Sequence, residues 1–281
     1  MPETLAGVRV VSLAGNLPGP LAAARLSALG ASVTKIEPPT GDLLAGAAPS
    51  WYAELTLRQQ VTVLDLKDAP DRATLDDLLT GADLLLTAMR PSALRRLGLE
   101  GAHRRHPGLS HVEIVGHEGA RAEVPGHDLT YQAAHGTLQP PLMPTVPIAD
   151  LLGAERAVSA ALLALLGRAR FEVGQHHRVV LEDAAADAGA ALRNGLMGVD
   201  GPLGGALATY GIYATADGYV ALAALEPHFR TRLLEALGLA GTRAELERVF
   251  ATRSTTQWEE LAARVDIPLT GIRTAIRGGV M

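Results

Sequence analysis

Val8-Arg9-Val10-Val11-Ser12-Leu13, then Gly15-Asn16-Leu17-Pro18-Gly19-Pro20, then residues 21–29, Gly30 and Ala31-Ser32-Val33-Thr34-Lys35-Ile36-Glu37 follow one another near the start of the chain, and their order decides the fold class. The first run is β-branched and apolar, the composition of a strand buried on both faces. The six residues from Gly15 read as a turn. Residues 21–29 are rich in Ala and Leu at helical spacing, and Gly30 stands at the place where a helix end favours glycine. The next run is a second strand, broken by Pro38-Pro39-Thr40-Gly41-Asp42. Strand, helix and strand in that order make a right-handed crossover unit, the opening of a doubly wound, largely parallel sheet.

The alternation continues outward. Strands are expected at 61–66, 82–87, 111–115 and 178–182, with helices at 69–79, 94–97, 151–169 and 183–196. Residues 139–147 carry four prolines and cannot be regular structure. A Gly-rich stretch, 195–205, reads as a linker, so the expected division is a large domain over 1–195, a linker over 196–208 and a small α+β domain over 209–281. Within the last, Thr215-Ala216-Asp217-Gly218 separates two apolar runs, a hairpin signal. Helices follow at 227–237, 243–250 and 256–264, the last capped by Ser254 or Thr255.

Composition narrows the function. Hydrophobic residues are 48% of the 281, enough for a sizeable core. The net charge of −5 provides no general field for nucleic acid or an anionic membrane. No cysteine is present, which excludes disulfide scaffolds, thiol nucleophiles and Cys-based metal sites. His103, His106, His176 and His177 show no convincing metal spacing along the chain, so no metal is expected. The N-terminus lacks a basic-then-apolar leader and the longest apolar block is too short to span a bilayer, so the expected location is cytoplasmic.

The turn after the first strand is not a dinucleotide fingerprint, because prolines occupy it and no Gly-x-Gly-x-x-Gly is present. It could still line a ligand cleft, since it lies at the carboxyl end of a parallel strand. Gly126-His127-Asp128 places an imidazole at a loop-to-helix junction, where it could move protons or simply face solvent. Asp150 follows the proline-braced loop and reads as an N-cap, with a second reading as a carboxylate aimed into a cleft. Glu226 stands at a strand-to-helix corner with the same two readings. Arg90, after the Leu84-Leu85-Leu86 strand, is placed either to hold a phosphate or to sit on the surface.

Taken together these stretches resemble the family III CoA-transferases, the group that includes formyl-CoA transferase, carnitine CoA-transferase and α-methylacyl-CoA racemase. The residues that carry the resemblance are Leu5 to Val11 with Leu17-Pro18-Gly19-Pro20, Lys35 to Asp42, Val63-Leu64-Asp65-Leu66-Lys67, Arg90-Pro91, Gly126-His127-Asp128, Asp150, Gly174-Gln175, Thr215 to Gly218 and Leu225-Glu226-Pro227-His228-Phe229. Gly-His-Asp and the Glu-Pro-x-Phe corner are similar to the racemase branch. The resemblance implies a Rossmann-like large domain, an acyl-CoA substrate, and no cofactor beyond the coenzyme A that the substrate carries. It implies His127 and Asp150 as the acid–base pair for the α-proton, supported by Glu226, with backbone N–H groups at the start of the Asp150 helix stabilising the enolate. Arg90, Pro18, Gly19 and Asp128 would contact coenzyme A.

Two other readings stand beside it. In the transferase branch the aspartate matching Asp150 is a nucleophile that carries an aspartyl-CoA thioester. A non-catalytic relative that binds CoA or a partner is the third. Its motive is that the chain lacks the family's Arg after Gly-Asp, its Gly after Arg-Pro and its Lys before the third strand, and reads Leu151-Leu152-Gly153 where a glycine pair commonly follows the aspartate. The resemblance also implies a homodimer, swapped or intertwined, because a small domain of this length buries a core poorly alone. Family members run on into a segment that closes a ring around the partner, whereas this sequence stops at Met281.

Overall fold

The structure, a computed structural model, describes residues 3–273. It divides into two compact units, 1–189 and 190–281. Residues 274–281 of the expected small domain lie outside the described residues.

The first unit is built on a six-stranded, wholly parallel sheet. Its strands are β1 (Arg9–Leu13), β2 (Ser32–Glu37), β3 (Gln59–Val63), β4 (Leu84–Ala88), β5 (Ser110–Val115) and β6 (His176–Val180), in the order β3-β2-β1-β4-β5-β6. This is the doubly wound Rossmann order, whose direction reverses between β1 and β4. Register is continuous: Val10 lies opposite Val33 on one side and Leu84 on the other, and Leu84 opposite Ser110. Leu84 and Leu86 enter the core on one face of the sheet, with Leu26, Ala157 and Ala161, while Leu85 enters the other, with Leu75, Leu79 and Leu109. Burial on both faces is why the strand carries an unbroken apolar run. Each such leucine contributes roughly 1.5–3 kcal/mol on burial.

Several expected boundaries move. The third strand begins two residues early, at Gln59, and the sixth ends at Val180, because Leu181 already opens a helix, Leu181–Ala188. Gly189 divides the single helix expected over 183–196, and Ala190–Arg193 forms a separate turn of helix. The turn expected from Gly15 to Pro20 is half helix. Pro18–Ala28 starts on its own proline, where the missing N–H costs nothing. Gly30 has φ +102°, as the helix end requires.

Lys35, in the middle of β2, is fully buried. Its ammonium meets Glu37, and Asp42 at 2.8 Å, while the Tyr52 hydroxyl donates to Glu37 at 2.6 Å. Asp42 also caps the Leu43–Ala47 helix through the Leu44 N–H. Burial, with the Glu37 carboxylate next, pushes the Tyr52 phenol up, so it remains a donor.

The second unit is a three-stranded antiparallel sheet, β7 (Tyr210–Ala214), β8 (Tyr219–Ala223) and β9 (Leu269–Gly271), with the helices Pro227–Leu237, Arg243–Phe250 and Thr255–Val265. The expected hairpin is β7–β8. Ser254, not Thr255, caps the third helix, with Gln257 completing a reciprocal capping box. Tyr213, Phe250 and Trp258 pack ring on ring at 5.0 Å, and the Trp258 indole N–H donates to the Phe250 carbonyl at 2.8 Å. No described helix is long and apolar enough to cross a membrane.

Candidate active site

Parallel strands place all their following loops at one end of the sheet, and a cleft of about 340 Å³ lies there, astride the β1–β4 reversal. Asn16 and Pro18 come to it from the β1 end, Ala88, Met89 and Arg90 from β4, Val115 and Gly116 from β5, and Leu181 from β6. His127, Tyr131 and Asp150 complete the wall. A second, mainly apolar cavity of about 350 Å³ lies beside it, at the ends of β1, β2 and β3. Asn16 and Met89 line both, so the two cavities share a wall. Asn16 itself holds φ +62°, a left-handed conformation that asparagine tolerates better than most residues.

The structure therefore brings His127, Asp150, Arg90 and Pro18 to one cleft. His127 is exposed and precedes the Asp128–Ala134 helix. Its N–H donates to the Thr130 hydroxyl at 3.0 Å, and that hydroxyl donates back to the His127 carbonyl at 2.8 Å. Arg90 precedes the Pro91–Arg96 helix and is exposed, with one long bond, 3.4 Å, to the Glu123 carbonyl. Gly19 is buried, and a Cβ there would lie 2.3 Å from the Ala14 Cβ, so it serves close packing of helix on strand end. Glu226 belongs to the second unit, exposed immediately before the Pro227–Leu237 helix.

Asp150 does not cap its helix. The helix runs Ile148–Phe171, which puts Asp150 in the third helical position. The cap comes from Asp128, 22 residues earlier: its Oδ1 accepts from Ala149 N at 2.8 Å and Asp150 N at 3.2 Å, and its Oδ2 from Gln132 Nε2 at 2.6 Å. Ile148 N and Leu151 N donate to the Val146 and Pro147 carbonyls. The helix-start N–H groups, expected to stabilise an enolate, are thus already engaged inside the protein. Asp128 is tied into the scaffold by the same bonds.

The arrangement sets the acidity of Asp150. Burial, and then the nearby Asp128 carboxylate, raise its pKa from an ordinary 3.8 to about 7, so it holds its proton more tightly. Tyr131, buried to 2% exposure, is raised to about 12, chiefly by burial and then by the Asp150 and Glu182 charges, and so keeps its proton. Its ring fits because Gly116 and Gly126 have no side chain: a Cβ at Gly126 would lie 2.5 Å from Tyr131 Cε1, and one at Gly116 2.2 Å from its hydroxyl. Behind it, His117 packs edge-on against the ring and bonds Glu182 at 2.6 Å, with Arg121 on the other carboxylate oxygen. The sequence reading missed Tyr131, although it lies four residues after His127, the spacing that aligns side chains on a helix face. It also missed the buried Lys35–Glu37–Asp42 group in the wall of the second cavity, because a lysine inside a strand carries no periodic signal of burial.

Comparison with known proteins identifies the family and the fold. The family model for CoA-transferase family III matches residues 5–277. An α-methylacyl-CoA racemase of Mus musculus is 29% identical, over 92% of this chain and 69% of its own. A succinate–glutarate CoA-transferase of Agrobacterium fabrum is 30% identical, over 88% of this chain and 69% of its own. The crystal structure of a CAIB/BAIF family protein from Brucella suis superposes with a TM-score of 0.82 at 24% identity, covering 98% of this chain and 85% of the other, a likeness of fold.

Proposed function

The chain belongs to CoA-transferase family III, a family of enzymes, and from that membership we propose that it moves the α-proton of an acyl-CoA thioester, with His127 and Asp150 as the two proton carriers. The observation that carries the proposal is Asp150 itself: a half-buried carboxyl in a cleft shared with His127, raised to about 7. Proton carriers work best with a pKa near the working pH, and such a carboxyl meets that condition. One of the two, deprotonated, takes the α-proton from one face. The other, protonated, returns a proton to the opposite face, and the thioester emerges with its stereocentre inverted or scrambled.

The enolate oxygen between those steps needs a donor that is not already engaged. Tyr131 supports that role, since it lines the cleft and keeps its proton. Arg90 at the rim supports binding of a CoA phosphate, and the adjoining apolar cavity supports an extended substrate with two arms. No cofactor is needed beyond the coenzyme A within the substrate.

The second reading is CoA transfer through an Asp150 thioester, favoured by the likeness to the succinate–glutarate CoA-transferase. The two differ in a direct test. Incubation of a 2-methylacyl-CoA with the enzyme in D₂O is expected to place deuterium at its α-carbon. His127→Ala and Asp150→Ala should each abolish this, and Tyr131→Phe should slow it by about ten- to a hundredfold. No exchange, together with a hydroxylamine-trapped Asp150 acyl adduct and CoA passing to a carboxylate acceptor, would replace the proposal with transfer.

A further inference from the structure

A cluster at the other end of the sheet takes no part in this chemistry. His111 and Glu113 lie two residues apart on β5 and so project to one face, and strand register sets His176 opposite His111 and Arg178 opposite Glu113. His111 lies four residues before the cleft-lining Val115, about 13 Å along the strand. Glu113 Oε1 is 3.0 Å from His176 Nε2 and 3.7 Å from His111 Nδ1, and all three atoms lie within 4.8 Å of one another. Donors about 2.0–2.1 Å from a tetrahedral cation stand about 3.3 Å apart, and the two Glu113 separations, 3.0 and 3.7 Å, lie on either side of that edge.

The surroundings fit as well. His111 is fully buried, and its Nδ1 has no hydrogen-bond partner. Its other nitrogen, Nε2, is 3.0 Å from the Thr87 hydroxyl, the kind of outer contact that fixes the tautomer of a ligating imidazole. Arg178 holds Oε2 of Glu113 at 2.9 and 3.1 Å, which orients the carboxylate and leaves Oε1 for the cluster. His103 stacks on the His176 ring at 4.9 Å and 5°, fixing its plane. The His176 side chain is 32% exposed, which provides a way in.

We infer that His111 Nδ1, His176 Nε2 and Glu113 Oε1 form a binding site for a divalent transition cation of the Zn²⁺ type, with a fourth position open to water. Two imidazoles and a carboxylate are a donor set that suits zinc and its neighbours and suits calcium or magnesium poorly. The positive charge of Arg178 opposes the cation and lowers the affinity.

The test uses tag-free, chelator-treated protein titrated with Co²⁺ and then Zn²⁺. One equivalent of Co²⁺ should produce the visible absorption of a four- or five-coordinate ion, and Zn²⁺ should remove it. His176→Ala, which alters a part-exposed ring, and Glu113→Gln should each weaken binding by about tenfold or more, whereas His177→Ala, on the opposite face of the strand, should leave it unchanged. No absorption at millimolar Co²⁺, binding that survives His176→Ala, or equal loss in His177→Ala would overturn the assignment and leave an ion-pair lock of His176, Glu113 and Arg178. None of these readouts depends on turnover, so the result stands apart from the acyl-CoA reading.

Discussion

Replacing Asp150 by Asn should make the protein more stable at alkaline pH while abolishing its chemistry. The raised pKa of Asp150 means that the folded chain holds a proton there that the unfolded chain releases near 3.8. Below that value the two states bind it equally. As pH rises from 3.8 to about 7 the unfolded state ionises first, and folding stability falls through that window. The span is about 3 units, and at 1.36 kcal/mol per unit the full loss is about 4 kcal/mol. Asp150 is only half-buried, and relaxation and solvent reduce this, so a working value is about 2–3 kcal/mol. Asparagine keeps the shape, removes the ionisable group, and leaves the backbone N–H to Asp128 intact. Urea unfolding of the two proteins at about pH 5 and about pH 8.5 should therefore give a stabilisation that is larger at the higher pH by about 2 kcal/mol. A difference independent of pH, or a variant less stable at pH 8.5, would refute the claim that Asp150 is held out of its preferred ionisation state. The same variant should lose α-proton exchange by at least about a hundredfold.

Three other outcomes follow from the packing. Asp128→Asn removes the neighbouring charge, so the acid limb of the activity–pH profile should move to lower pH; kinetics across that limb check it, and the weaker cap should cost about 1 kcal/mol in unfolding. Gly126→Ala should displace the Tyr131 ring and depress turnover more than substrate binding, measured as kcat against KM, because the added Cβ falls 2.5 Å from Tyr131 Cε1. Lys35→Met leaves Glu37 and Asp42 buried without their cation and should cost about 3–5 kcal/mol in denaturant unfolding.

The six parallel strands were legible because each holds β-branched or apolar residues bounded by turn residues, and β4, with Leu84-Leu85-Leu86, is the clearest instance. The small unit's last helix was legible at its start, where Ser254 forms a capping box whose signature lies within four residues; the like box that Thr242 forms before the Arg243–Phe250 helix was not read. What escaped depends on pairs distant in the chain. Asp150 reads as a cap because it follows a proline loop. That Asp128 supplies the cap from 22 residues away is a fact of tertiary packing, and with it goes the cause of the raised carboxyl. His111 and His176 are 65 residues apart and meet only through strand register, so no spacing rule along the chain finds them. Short helices such as Leu43–Ala47 and Pro49–Thr56 were missed because one turn or two carries too little periodicity to stand out.

The wall between the two cavities has a consequence for how such a molecule can diversify. The β2 and β3 ends furnish only the second cavity, so substitutions there can reshape that pocket without touching His127, Tyr131 or Asp150. Asn16 and Met89 are the exceptions among the lining residues, since they belong to both. The fold is in this sense modular with a two-residue joint. Change at that joint would alter both cavities together, and change elsewhere would leave one free to drift while the other is held.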